Sequence, residues 1–108
     1  MEPKEFIRLL KSKSRVPSVI AFRQALCYYL WIEDISCTII SQIIGYTRRN
    51  VYISIYHVRD CLEVNDKTMR EAMDEVKKHD IRIRPYTIDG HVLSKHAGYK
   101  MIIDDIIY

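Results

Sequence analysis

Glycine and proline are scarce in this 108-residue chain, three of each, which excludes a collagen-like, low-complexity or loop-dominated polypeptide. Cysteine is scarce too: three residues, an odd number with no close pair, fit a reducing cytoplasm better than a disulfide framework. Long hydrophobic runs are missing, because charge interrupts each apolar stretch well before the ~18–20 residues that a membrane-spanning helix needs. The opening segment MEPKEFIRLL does not read as a signal peptide, since Glu2 and Glu5 stand where such a segment is purely basic. What the chain does have is apolar content, 48% of its residues, enough for one domain with a real core. These absences together predict a small cytoplasmic protein with no membrane partner.

The net charge of +3 is unevenly spread. Residues 1–60 carry nine Lys/Arg against five Asp/Glu, and residues 61–108 carry eight against nine. The excess is concentrated early, where Lys4, Arg8, Lys11, Lys13, Arg15 and Arg23 face only Glu2 and Glu5. Clustered cations of this kind can replace the counterions condensed on a phosphate backbone, although an ordinary solvated surface has similar composition.

The apolar spacing is helical for most of the chain. Pro3 suits a first helical turn, and Phe6, Ile7 and Leu10 share one face. A basic loop, Lys11-Ser12-Lys13-Ser14-Arg15, separates this element from a second helix that begins near Pro17 and Ser18, with Ser18 as the cap, and runs to about Ile32. Val19, Phe22, Leu26, Tyr29 and Leu30 form its stripe, and Tyr28 and Trp31 widen it. A short helix starts at Ser36 or Thr38 and stops at Gly45, a position suited to a left-handed backbone. Thr47 caps a longer helix over Arg48 to Glu63, with Val51, Ile55, Val58 and Leu62 inward. Asn65 or Asp66 caps a fifth helix, with Met69, Ala72, Met73 and Val76 inward. The period then changes: Ile81-Arg82-Ile83-Arg84 alternates, Pro85 interrupts, and Asp89-Gly90 is a hairpin signal.

A short helix, a glycine-bearing turn and a longer helix form a helix-turn-helix signature, though a plain helical hairpin has the same outline. The start of the longer helix carries Thr47, Arg48, Arg49 and Asn50. Arginine pairs bidentately with guanine and asparagine with adenine, so this end suits base edges in a major groove. Tyr46, Tyr52 and Tyr56 can reach phosphates or sugars through their hydroxyls; for Tyr56, packing against Trp31 is an equal alternative.

The segments KSKSR, RQALCYYL, EDISCTIISQIIG and YTRRNVYISIYHVRDCLE, in that order, resemble the C-terminal DNA-binding domain of the bacterial replication initiator DnaA. The resemblance covers about half the chain, Lys11 to about Leu62. The family's signature is Gly-Arg-Asp-His-(Ser/Thr)-Thr-Val, and Gly45 and Val51 hold the ends of that frame here. Thr47 then takes the Asp place, Arg48 the His place or, after a register shift, the Arg place, Arg49 the Ser/Thr place and Asn50 the Thr place. Without the Asp-His pair, the initiator's own DNA box is not the expected target. The resemblance implies that Lys11, Lys13 and Arg15 lie over phosphates and the minor groove. It also implies that Arg48, Arg49 and Asn50 read the major groove and that Thr47 touches a phosphate. The initiator's ATPase module is not expected here, because no GxxxxGK[ST] phosphate loop exists, and so no nucleotide or other cofactor is implied.

Enzymatic readings find little support. His57 and Cys61 are one helical turn apart, half of a metal site, but no CxxC or HExxH supplies the rest. Cys27, Cys37 and Cys61 have no base and oxyanion site set beside them, and Glu33-Asp34 reads as a polar break. The expected fold is therefore all-α: a bundle of about five helices with a Trp-repressor-like helix-turn-helix core in residues 1–80. Residues 81–108 are an irregular or short-stranded tail that packs on the domain or mediates interaction. The expected function is double-stranded DNA binding in replication initiation, its regulation or transcription control, as a homodimer or with a replication or transcription protein partner. The rival is a protein-interaction module on the same scaffold, using Ile102, Ile103, Ile106 and Ile107 as an apolar ridge or added strand.

Overall fold

A computed structural model describes residues 1–85 and 98–107, together with the backbone of 87–88 and 91–92. Five helices come first: α1 (Pro3–Lys11), α2 (Pro17–Ile32), α3 (Cys37–Ile44), α4 (Arg48–Glu63) and α5 (Lys67–Lys77). Five short strands follow: β1 (Ile81–Pro85), β2 (Thr87–Ile88), β3 (His91–Val92), β4 (Tyr99–Ile103) and β5 (Ile106–Ile107). The fold is a mostly helical body carrying a small antiparallel sheet of order β1-β4-β5, with β2 and β3 paired separately.

The helix ends follow local chemistry. Pro17 opens α2 as its first residue, and Val16 before it is extended and gives no side-chain cap. Ser18 is thus inside the helix rather than capping it, because proline presets the first helical φ and drives its predecessor to extended backbone. Ser36 caps α3 by accepting from the Ile39 N–H at 3.3 Å. Asp66 caps α5 by accepting from Met69 N–H at 2.9 Å, while Asn65 takes the left-handed turn between α4 and α5 at φ 58°.

Helix α2 is the hub of the core, with Ala21, Phe22, Ala25, Leu26, Cys27 and Leu30 all buried. It packs chiefly on α4 and α5 and also on α1 and α3. Its apolar stripe closes before its C-terminus: Trp31 and Ile32 are exposed, so Trp31 does not widen the packed face.

The strands are more than a tail. Strand β4 lies against α3, and its Met101 and Ile103 are fully buried in the same core as Phe6, Ile40 and Val58. The all-α expectation gives way to helices plus a sheet because alternate β4 residues supply an apolar face that only a strand can turn inward. Asp104 and Asp105 join β4 to β5 as a two-residue turn with both φ values positive, 48° and 68°, the geometry of a tight hairpin. The Asp89-Gly90 turn signal lies outside the described residues.

The sheet is tied to the helices by one buried histidine. His79, after α5, brings Nδ1 to within 2.5 Å of Asp104 Oδ2 and Nε2 to within 3.5 Å of Glu75 Oε1. Its ring meets the edge of Phe6 at 4.7 Å, and Phe6 in turn meets Phe22 at 4.7 Å. Asp104 also accepts from the Asp80 N–H at 2.8 Å.

Candidate nucleic-acid interface

The basic loop between α1 and α2 has a defined shape. The Ser12 hydroxyl oxygen accepts from the Ser14 N–H at 3.1 Å, and the Ser14 hydroxyl oxygen accepts from the Val16 N–H at 3.2 Å. The Arg23 guanidinium, one turn and a half into α2, donates to the Ser12 carbonyl and to the Ser14 carbonyl. Arg23 is thereby half-buried and bonded to the loop. Lys13 and Arg15 stay exposed, and no carboxylate among the described residues pairs with either. Lys11 is exposed at the last residue of α1.

Helix α3 is joined to α4 by Gly45, Tyr46 and Thr47. Gly45 adopts φ +81° and nothing lies within 4 Å of where a Cβ would be, so glycine is required there for its backbone and not for space. The Ser41 hydroxyl donates to the Tyr46 carbonyl and braces the turn. Thr47 caps α4 by accepting from the Asn50 N–H at 3.1 Å. Arg48 and Arg49 follow as the first two residues of the helix, both exposed and both without an ion-pair partner among the described residues. Cations at a helix N-terminus oppose the macrodipole by ~0.3–1 kcal/mol each, so local stability does not favour them here. Residues that break a local rule are a recurrent mark of a functional surface.

Loop and helix meet in one open cleft lined by Arg15, Ile20, Gln24, Tyr46, Asn50, Ile53 and Ser54. Arg15 and Asn50, expected as contacts from two separate elements, thus face the same concavity, and no carboxylate lines it among the described residues. Burial pushes the Tyr46 phenol above its ordinary value despite the nearby Arg23 charge. Ile20, Gln24, Ile53 and Ser54 were not among the expected site residues. Gln24 had a sequence signal in its pairing with Arg23, whereas the others are recognisable only once α2 and α4 are side by side.

Tyr52 is not brought to this cleft. It is 43% exposed and lines a different hollow with Trp31, Ile32, Asp34, Ile35, Ser36 and Cys37. Tyr56 is 53% exposed and lies under the Arg59 guanidinium at 4.9 Å, so it does not pack on Trp31, which pairs with Tyr28 instead. Helical rotation explains both results: with Val51, Ile55 and Val58 inward, residues 52 and 56 fall on the outer face. The proposed apolar ridge of the chain's end is also only partly available. Ile103 is fully buried, Ile102 and Ile106 are half-buried, and Ile107 alone stands out.

The thiols are poorly placed for nucleophilic chemistry. Burial pushes Cys27 up to about 12. Partial desolvation and the charges of Asp66 and Asp60 raise Cys61, whose Sγ is 3.5 Å from His57 Nε2. Among the described residues no group of three His, Cys, Asp or Glu is arranged to hold a metal ion. No helix of the described residues is long and apolar enough to cross a membrane. No protein-family model matches the chain, and neither does any curated protein or solved structure.

Proposed function

We propose that this chain is a double-stranded DNA-binding module in which α3 and α4 act as a helix-turn-helix. The observation that carries the reading is the shared cleft: Arg15 of the basic loop and Asn50 of the α4 start line it together, with no acidic residue in its described wall. A phosphate strand fits such a groove, with Arg15 and the Tyr46 hydroxyl as donors to it. Lys11 and Lys13 extend the loop's contacts along phosphates and the minor groove. Arg48, Arg49 and Asn50 at the start of α4 read base edges in the major groove, and Thr47 and the helix N-terminus lie against a phosphate. The resemblance to the DnaA C-terminal domain supports the same arrangement, with a target other than the initiator's box. Replication initiation, its regulation or transcription control in the cytoplasm is the setting this implies, with no cofactor and no catalytic step.

Selection from a random-sequence duplex pool at low and moderate salt tests this directly. An enriched motif is expected, with affinity falling by a log–log slope of about −4 to −5 if five cations each displace counterions. Absence of binding even at low salt would remove the proposal. It would leave the second reading, a protein-interaction module, which the exposed Trp31, Ile32 and Tyr52 around the other hollow favour.

A further inference from the structure

Six cations crowd the first part of the chain, and all six invite assignment to phosphates. One of them is used differently. Arg23 is half-buried, and each of its two terminal nitrogens donates to a loop carbonyl, Ser12 and Ser14, the second at 2.5 Å. Its Nε is buried with no hydrogen-bond partner, so that N–H is enclosed by protein, while each terminal nitrogen keeps one further N–H. The two carbonyls it holds flank Lys13, and Arg15 follows the second one directly. Besides the two serine turns, the loop's ends are fixed by Ser12 N–H to the Leu9 carbonyl at 3.3 Å and by the Val16 carbonyl, which accepts from the Val19 N–H at 3.0 Å and the Ile20 N–H at 3.1 Å. Between those anchored ends, the Arg23 fork is the side chain from outside the loop that, among the described bonds, holds the carbonyls on either side of Lys13.

We propose that Arg23 is the positioning residue of the interface: it holds the loop in the shape that presents Lys13 and Arg15 to a DNA backbone and makes no phosphate contact of its own. This rests on the DNA-binding reading given above. The physical basis is preorganisation, since a loop already ordered in the free protein does not have to be ordered on binding. The fork is essential to it. A planar guanidinium presents two donors to the two carbonyls in a fixed fork, whereas a lysine ammonium carries the same charge on a single flexible point and does not reproduce that geometry.

Binding to the enriched duplex is measured for the full chain in four forms: unaltered, Arg23→Lys, Lys13→Ala with Arg15→Ala, and all three changes together. Arg23→Lys is expected to weaken binding about tenfold alone although charge is kept, and by less than about twofold once the loop cations are gone. In the free protein, trypsin should cut after Lys13 and Arg15 several-fold faster in Arg23→Lys and in Arg23→Gln. Equal losses in the two backgrounds would show that Arg23 meets DNA on its own account and overturn the proposal, as would an unchanged cleavage rate. Loss of the helical circular dichroism signal in both variants would make Arg23 a folding residue and overturn it too. If the unaltered chain binds no duplex, the DNA-binding reading falls and the presenting role with it. The cleavage rates then report separately whether Arg23 holds the loop.

Discussion

Around the cleft, Lys13, Arg15, Arg48 and Arg49 stand exposed, whereas around His79 the charged groups lie against opposite ones. Lys13, Arg15, Arg48 and Arg49 have no ion-pair partner among the described residues. His79, with its side chain 5% exposed, lies between Asp104 at 2.5 Å and Glu75 at 3.5 Å, and Glu75 also accepts from the Met1 ammonium at 2.9 Å. His79 Nε2 and Glu75 Oε1 make no hydrogen bond with each other, so the joint that fastens the β4–β5 turn to the end of α5 is the His79 Nδ1 contact with Asp104 and the Asp80 N–H bond to Asp104. Cations left solvated at a cleft contribute little to the fold and are free to meet an anion. The same residue types serve opposite ends according to whether their neighbours remove water.

That contrast is sharpest in a stability experiment. Met101→Ala, on the sheet side of the core, should destabilise the protein by about 2–5 kcal/mol in chemical denaturation, through lost burial and a cavity. It should leave the DNA preference of the remaining folded protein unchanged.

Arg48→Ala and Arg49→Ala should do the reverse. Each is expected to remove about 1–3 kcal/mol of discrimination between the enriched duplex and random DNA, measured by competition binding. The melting temperature should hold or rise slightly, since a cation leaves a helix N-terminus. Equal losses on both DNAs would sink the assignment of α4 as the reading helix.

Asp104→Asn probes the joint without altering the turn, because asparagine also tolerates a left-handed backbone. A loss of about 1–2 kcal/mol is expected in denaturation. The hydrogen bond with His79, then that from the Asp80 N–H, holds Asp104 below its ordinary value of 3.8. The hydrogen bond from the Met1 ammonium, foremost, holds Glu75 below its ordinary value of 4.5. Carboxyls depressed in the folded state stabilise fully above their unfolded values and lose that contribution as pH falls through and below them. Stability should therefore fall below about pH 4.5, and less steeply in Asp104→Asn; equal acid limbs in the two proteins would argue against the joint.

Lys13→Ala is the smallest change. It should weaken specific and random duplexes by the same factor and reduce the salt slope by about 0.9, the signature of one phosphate contact. A selective loss on the enriched duplex would move Lys13 from the backbone to a base edge.

Much of the scaffold is legible in single residues. Gly45, Thr47 and Asp66 mark helix ends because each supplies what a terminus needs locally, a positive φ or a side-chain acceptor. The core stripes of α4 and α5 follow from spacing alone: of the residues proposed from them, Val51, Ile55, Val58, Met69, Ala72, Met73 and Val76 are buried and Leu62 is half-buried. The sheet was harder to read. Asp104-Asp105 is a tight turn without glycine, and the inward places of Met101 and Ile103 depend on α3 lying beneath them.

The candidate site divides in the same way. The cations of the loop and the polar start of α4 are visible in the sequence because charge and residue type are local properties. Tertiary structure alone decided that Arg15 and Asn50 share a cleft and that Tyr52 belongs to another. It also decided that Arg23 faces inward, onto carbonyls 11 and 9 residues away in the chain. Periodicity and capping act over one or two turns, so the sequence by itself determined the helices and most of their ends. Which side chains meet across elements depends on how those helices pack, and that is set by the whole core at once.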